Sequence, residues 1–370
     1  MYLIRLKKLQ EVMLSEKLEI VAINAGVDLK YFTGLDFHIS ERPAVLLIPS
    51  EGQPAFIFPE FEIEKARQSS QELALFPYPE DTNTWPAVFL QAAKYFELSK
   101  KTIGVSPESM RYLELEMLKQ AAGHGRFISA MEIFKSLKIR KDKDEIFAIR
   151  KAISIAEKAL MNLLPQIQPG ISEKWLANQL VINLLTEGSD ADLPFNPIIA
   201  SGPNSANPHS VPGDRVLENG DILLIDWGAR SGGYLSDLTR SFFIGSPDSE
   251  MSRIARIVLE ANQTARKAAK TGIPASDLDK AARDVITKAG YGDAFTHRTG
   301  HGFGLLPHED PYISQFNSAL LENGMVFTIE PGIYLPGKGG IRIEDNILVN
   351  GDICETISDF PREVKVMAPA

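Results

Sequence analysis

Apolar positions over the first 135 residues follow two rhythms. The N-terminal MYLIRLKKLQEVM alternates charged and apolar residues, as an amphipathic helix does. EIVAIN (19–24), VLLIP (45–49), AFIF (55–58) and TIGV (102–105) are short apolar runs bounded by turn residues, as buried strands are. SPESM (106–110) predicts a helix start, with Ser106 as N-cap and Pro107 in the first turn. Helix and strand patterns alternate, which predicts an α/β domain over residues 1–135.

From about Asp144 to Leu164, Ile146, Ile149, Ile153 and Leu160 lie on one helical stripe, a core face. Pro165 and QPG (168–170) stop that helix, and the texture then changes. Gly, Pro and Asn cluster at 196–213, strands run in hairpins, and further helices are expected at about 250–270 and 276–289. The domain boundary is placed near 135–140, leaving 136–370 as a second domain of α+β type.

This second domain writes one strand twice. LENGDILLIDWG (217–228) returns as LENGMVFTIEPG (321–332), with Asp226 of the first copy replaced by Glu330 in the second. A common turn before a buried strand explains the LENG, but not an acid at the same place in both copies. The pattern predicts two similar halves related by an internal pseudo-twofold.

Each acid-ending strand is followed by a Gly-rich turn and a return strand. GARSGGY leads to SDLTRSFF, and bringing Asp237 opposite Asp226 is the expected result. Asp237 and Thr239 then share a face. In the second copy, IRIEDNILV puts Arg342, Glu344 and Asn346 on one face and Ile341, Ile343 and Ile347 on the other. Asp226, Asp237, Glu330 and Glu344 thus converge from two hairpins. Four buried acids raise one another's pKa and require a counter-charge. Four are enough for two divalent cations, and His301, between glycines in GHGFG (300–304), would complete such a site. A solvated acidic surface is the alternative, disfavoured by the apolar strands leading into each acid. His209, in the loop ASGPNSANPHSVPGDR, and His308, in PHEDP, are candidates for substrate contact. His297 is expected to support the His301 loop. His38 and His124 have no partner at ligand spacing and are expected to be structural or at a rim.

Composition narrows the class. At 370 residues, 44% apolar and 24% charged, the chain is an ordinary globular protein of two domains. A net charge of −9 argues against nucleic acid or anionic membrane as partner, and the one basic run, KIRKDKDE (138–145), mixes both signs. A single cysteine, Cys354, excludes an internal disulfide, fits a reducing cytoplasm, and is expected to fill a core position. No stretch resembles a signal peptide or membrane span.

The ordered set Asp226, Asp237, His301, Glu330, Glu344 resembles that of the metallopeptidase family containing methionine aminopeptidase, Xaa-Pro aminopeptidase and Xaa-Pro dipeptidase. ASGPNSANPH, LLIDWGARSGGYLSDLTR, HRTGHGFGLLPHEDP, TIEPGIY and IRIEDNILV are similar to the prolidase-type branch, and YFTGL and ERPAVLLIP to its creatinase-type N-terminal domain. Many relatives carry two histidines after the proline at 208, where this chain has His209 and Ser210.

The resemblance implies a pita-bread catalytic domain and two divalent ions, Mn²⁺ or Co²⁺ with Zn²⁺ as the alternative. Asp226 would chelate one ion, His301 with Glu330 the other, and Asp237 and Glu344 would bridge both. An activated water would be the nucleophile, with Glu330 helping to move its proton. His209 and His308 would hold substrate and stabilise the tetrahedral intermediate, and Arg342 and Thr239 would anchor the ligands. The implied substrate is a small peptide with proline second, hydrolysed by a cytoplasmic homodimer. Xaa-Pro aminopeptidase activity on longer peptides, or a non-peptidase C–N hydrolase on the same fold, are the alternative functions.

Overall fold

The computed structural model describes residues 1–367, which divide into two compact units, Met1–Lys138 and Ile139 onward. Among the described residues no helix is long and apolar enough to cross a membrane.

The first unit is built on a six-stranded mixed sheet. Its strands are β1 (Ile20–Asn24), β2 (Val45–Pro49), β3 (Ala55–Pro59), β4 (Ala74–Tyr78), β5 (Thr102–Val105) and β6 (Arg126–Ser129), in spatial order β4-β3-β2-β1-β5-β6. β1, β2 and β3 are buried at every position, which explains their uninterrupted apolar runs: both faces are covered. The helices are α1 (Tyr2–Ser15), α2 (Val27–Thr33), α3 (Ile63–Ala66), α4 (Trp85–Tyr95), α5 (Tyr112–Ala122) and α6 (Met131–Lys138). Phe89 and Ala92 of α4 and Leu118 of α5 pack with Ile20, Val45, Ile57 and Ile103 of the sheet. The helix start expected at Ser106 is displaced. Ser106 O accepts from the N–H groups of Ser109 and Met110 in a single turn, extended Arg111 interrupts it, and α5 begins at Tyr112. His38 and His124 are exposed in this unit.

The second unit repeats itself. Its first half runs α7 (Lys143–Leu163), α8 (Glu173–Thr186), β7 (Ile198–Ser201), β8 (Ile222–Trp227), the two-residue strands β9 (Arg230–Ser231) and β10 (Tyr234–Leu235), then β11 (Leu238–Ile244). The second half runs α9 (Ser249–Ala268), α10 (Ala275–Lys288), β12 (Gly300–Gly302), β13 (Glu309–Ile313), β14 (Val326–Ile329), β15 (Gly332–Leu335), β16 (Gly339–Arg342) and β17 (Asp345–Asn350). Strands β18 (Ile353–Thr356) and β19 (Lys365–Met367) then join the sheets, ordered β19-β11-β8-β7 and β13-β12-β14-β17-β18. β8 lies between β7 and β11 as β14 lies between β12 and β17, and a short ribbon (β9–β10 or β15–β16) follows each. This is the pita-bread arrangement of two α+β halves.

Each sheet buries one face under its own helix pair. Leu223, Ile225 and Trp227 of β8 pack with α7 and α8 residues such as Ala156, Leu160 and Leu180. Phe327 and Ile329 of β14 pack with Val258, Ala261 and Ala282 of α9 and α10. Since side chains alternate along a strand, Asp226 in the first copy, and Thr328 and then Glu330 in the second, point away from the helices.

Two details differ from the sequence-based picture. The register sets Thr239, not Asp237, opposite Asp226, because β9 and β10 take up the intervening chain and β11 starts at Leu238. The IRIEDNILV segment is not one strand. β16 pairs with β15, β17 pairs with β14, and Glu344 sits at the break, bridged to Thr239 of the other half. Cys354 is half-buried on β18, packed against the core rather than within it.

Candidate metal centre

Asp237, His301 and Glu344 each offer one ligand atom, all within 4.8 Å of one another, and all three side chains are buried. Two further acids close in. His301 Nε2 lies 3.3 Å from Glu330 Oε1 and 3.7 Å from Asp237 Oδ2. Asp226 faces the same cavity, but its Oδ2 is taken by Arg342 Nη2 at 2.5 Å.

The polarity of these groups is informative. His301 Nδ1 contacts Gly302 O at 3.1 Å and so carries the proton, while burial first and His308 second hold its pKa down to about 3. The neutral ring therefore turns the Nε2 lone pair toward the carboxyl groups of Glu330 and Asp237. Asp226 Oδ1 and Glu344 Oε1 are buried without a hydrogen-bond donor among the described residues. Burial drives the Glu330 carboxyl up to about 7 and those of Asp237 and Glu344 well above the usual range, their mutual repulsion adding to it. Burial also raises Asp226, with Arg342 opposing the shift. Clustered lone pairs and four acids with Arg342 as their paired arginine fit divalent cations.

The supports are as specific as the ligands. Thr239 Oγ1 donates to Glu344 Oε2 (2.6 Å) and accepts from Arg342 Nε (3.0 Å), while Arg342 Nη1 donates to Tyr334 Oη (2.9 Å). Thr328 Oγ1 accepts from His301 N–H and donates to Glu330. Asn346 Nδ2 donates to Asp237 O. The glycines flanking His301 let neighbouring backbone approach closely: a Cβ at Gly300 would lie 1.9 Å from Thr328 O, and one at Gly302 2.2 Å from Asp310 O.

Three supports were not anticipated. Asn262 of α9, fully buried, donates to the carbonyls of Ile329 and Ile343, the residues preceding Glu330 and Glu344. Asp279 of α10, also fully buried, accepts from Thr299 N–H and Oγ1–H and is paired with Arg283, which donates to the carbonyls of Phe295 and His297. Glu309, paired with the buried Lys141, accepts from the N–H groups of Leu305 and Leu306 and so shapes the loop carrying His308. In sequence, Asn262 and Asp279 were detectable as polar residues on otherwise apolar helical stripes.

A cavity of 460 Å³ opens over the centre. The rings of His308 and His301 lie edge to face, 4.4 Å apart, and His209 stands exposed at the rim. Phe195, Ile198, Pro208 and Pro307 supply apolar wall. Burial lowers the His308 pKa, so this ring is neutral near pH 7. His297 also lines the cavity. Its Nδ1 donates to Arg298 O, so Nε2 accepts from Tyr334 Oη (2.8 Å) and continues the line that starts at Arg342.

Fold and centre together define a metallopeptidase. Residues 148–351 match the metallopeptidase family M24 model and residues 5–139 the creatinase/prolidase N-terminal domain, and the chain belongs to this family. It is 37% identical to the Xaa-Pro dipeptidase of Pyrococcus furiosus over 97% of this chain and 99% of that one. The crystal structure of recombinant prolidase from Thermococcus sibiricus superposes with a TM-score of 0.93 at 35% identity, covering 99% of both chains. An X-Pro aminopeptidase from Thermotoga maritima gives 0.84 at 33% identity, covering 95% of this chain and 98% of that one. Members of the family use divalent metals, for which this chain has the donors.

Proposed function

We propose that this chain hydrolyses Xaa-Pro dipeptides with two divalent cations, Mn²⁺ or Co²⁺, held by Asp226, Asp237, His301, Glu330 and Glu344. The observation that carries the proposal is the buried donor cluster under a small, partly apolar cavity. Oxygen-rich ligation with one imidazole suits Mn²⁺ or Co²⁺ at least as well as Zn²⁺. Bound there, the cations would polarise the scissile carbonyl and lower the pKa of an attacking water.

The protein groups supply the remainder. Glu330, beside His301 in the donor cluster, would take the proton of the water as it adds to the carbonyl carbon and return it to the departing nitrogen. That return is needed because the proline nitrogen, a tertiary amide without N–H, must leave as an amine when the C–N bond breaks. His308 and His209 line the cavity and would offer ring N–H groups to the developing oxyanion. Arg342, through Thr239 and Asp226, fixes ligands contributed by both halves. Phe195, Ile198 and Pro208 offer a wall for an apolar ring. The cavity lies within the ~300–1,000 Å³ typical of small-ligand clefts, which favours a dipeptide over a long chain. A cytoplasmic homodimer remains part of the proposal, on the single cysteine and the family resemblance.

Metal-free protein reloaded with each cation and assayed on Ala-Pro, Ala-Ala and Ala-Pro-Gly tests the reading. Activity restored by Mn²⁺ or Co²⁺, highest on Ala-Pro, is the expected result. Preference for the tripeptide would make the chain an aminopeptidase. No hydrolysis of any peptide would point to a non-peptidase C–N hydrolase.

A further inference from the structure

The loop that carries His209 is long, and one buried carboxylate holds it. Between the end of β7 at Ser201 and the start of β8 at Ile222, the chain forms a short 3₁₀ turn (Gly202–Ala206) and is otherwise irregular. Such a stretch keeps one conformation only when tied to the body of its domain. Glu173, the first residue of α8, supplies the ties. It is fully buried, and both carboxylate oxygens are occupied. Oε1 accepts from Ser201 N–H (2.7 Å) and Ser201 Oγ–H (2.7 Å), and Oε2 from Gly213 N–H (3.2 Å). Asn204 Nδ2 reaches both oxygens at 3.1 Å. One carboxylate thus binds the loop at its entry, in its first turn and at its exit.

An acid in the first turn of a helix ordinarily serves that helix, near its free N–H groups. Glu173 instead turns its acceptors to another segment, while Ser172 caps the helix by accepting from Trp175 N–H. The main chain reinforces the clamp, since Glu173 N–H donates to Arg215 O and Lys174 N–H to Gly213 O. Arg215, paired with Asp221, also donates to Ser201 Oγ. From Asn204 the ties run on to the histidine. Asn204 O accepts from Asn207 N–H, and Asn207 Oδ1 accepts from His209 N–H, each at 3.1 Å. The 3₁₀ turn sits against β16, where a Cβ at Gly340 would lie 2.2 Å from Ser205 O. Pro208 and His209, between the clamped ends, line the cavity.

We propose that Glu173 is a positioning residue for hydrolysis: by clamping the loop from 201 to 213, it holds His209 at the cavity. The proposal rests on the role of His209 given above and names what keeps that histidine in place. Every hydrogen-bond partner of Glu173 named above is a donor, so only a side chain that accepts at both atoms satisfies the set. An amide would keep the Ser201 bonds with its oxygen but turn an amino group against Gly213 N–H. Glu173→Gln therefore keeps the size of the side chain and loosens the exit of the loop. Glu173 bonds to none of the five metal donors, so the cluster itself is left intact.

Hydrogen exchange followed by mass spectrometry reads the clamp without turnover. In metal-loaded Glu173→Gln, peptides spanning 201–213 should exchange about 10-fold faster than in wild type, with α8 and β8 unchanged. Kinetics on Ala-Pro then ask whether the clamp acts through the histidine. His209→Ala and Glu173→Gln should each lower kcat/KM by about 10- to 100-fold at wild-type metal content. The double variant should lose little more than either one, because both changes remove the same group from the reaction. Losses that multiply in the double variant, or loop exchange unchanged in Glu173→Gln, would overturn the assignment. If Glu173→Gln exchanges faster throughout, Asn204→Ala, which leaves the Ser201 and Gly213 bonds in place, is judged by the same two measurements. If the wild type cleaves no peptide, the peptidase reading fails, and exchange of the loop alone decides whether Glu173 holds it.

Discussion

At Glu344 one carboxylate oxygen accepts from Thr239 and the other, buried, has no donor among the described residues. Such an oxygen is costly unless protonated or bound to a cation. Glu344→Gln and Asp237→Asn should therefore have two effects of opposite sign. Bound metal and turnover should fall together, whereas the metal-free variant above pH 7 should melt higher than metal-free wild type, because a neutral amide relieves the repulsion. His308→Ala should leave metal content at the wild-type value and lower kcat by about 100- to 1,000-fold, the cost of one oriented donor at an oxyanion. Metal analysis of purified variants beside kcat separates the cases. Metal loss in His308→Ala, with metal retained in Glu344→Gln, would reverse the roles assigned to the two residues.

Among the elements, α9 supports the centre without lining the cavity. Asn262 ties both acid-bearing segments to one helix, one bond to the carbonyl before each acid. Asn262→Leu keeps the bulk but leaves two buried carbonyls without these donors. The expected loss is about 1–3 kcal/mol per carbonyl in unfolding free energy, with weaker metal affinity as the acids drift apart. Denaturant unfolding and metal titration measure the two. Stability lowered with metal affinity intact would show that Asn262 serves packing alone. How much of this could be read in the sequence follows from period. The acids and strands of the repeat were legible because a twofold alternation brings Asp226 and Glu330 to one side, and the repetition itself marks them. The register was less so: two-residue strands carry almost no pattern, so β9 and β10 went unseen and Asp237 was set opposite Asp226. The first domain's helix was misplaced because one turn closed by Ser106 has the same start signals as a helix. Asn262 and Asp279 act on backbone groups distant in the chain, and helical spacing does not reveal such partners.

For the whole molecule, the centre links folding to pH. The Glu330 carboxyl titrates at about 7 instead of 4.5 when folded, and those of Asp237 and Glu344 are raised as well. A raised folded pKa gives stability that is complete below the unfolded value and is lost as pH rises through the folded one. His301 and His297, held at about 3 and about 4 against 6.5, act the other way, with stability complete above pH 6.5 and lost on acidification. Above pH 6.5 the histidines add no further slope and the acids dominate. Metal-free protein should therefore lose melting temperature between about pH 6.5 and 8. Protein with cation at a hundredfold over its dissociation constant should gain about 2.7 kcal/mol and lose most of that pH dependence. Calorimetry across this interval, with and without chelator, is the measurement. A metal-free melting temperature that rises with pH would show that these carboxyls are ionised without penalty.

The doubled strand has a further consequence. Two equivalent halves facing each other across a shared site amount to a homodimer contained in one chain. The linker turns their meeting into an intramolecular event, so the site assembles at any protein dilution. It also frees each copy from having to match the other. The first supplies the short acids Asp226 and Asp237, whereas the second supplies the longer Glu330 and Glu344 together with His301. A symmetric pair of separate chains would have to present every ligand twice, and it would treat both ends of a substrate alike. A peptide has two different ends, and a fused, diverged pair can tell them apart.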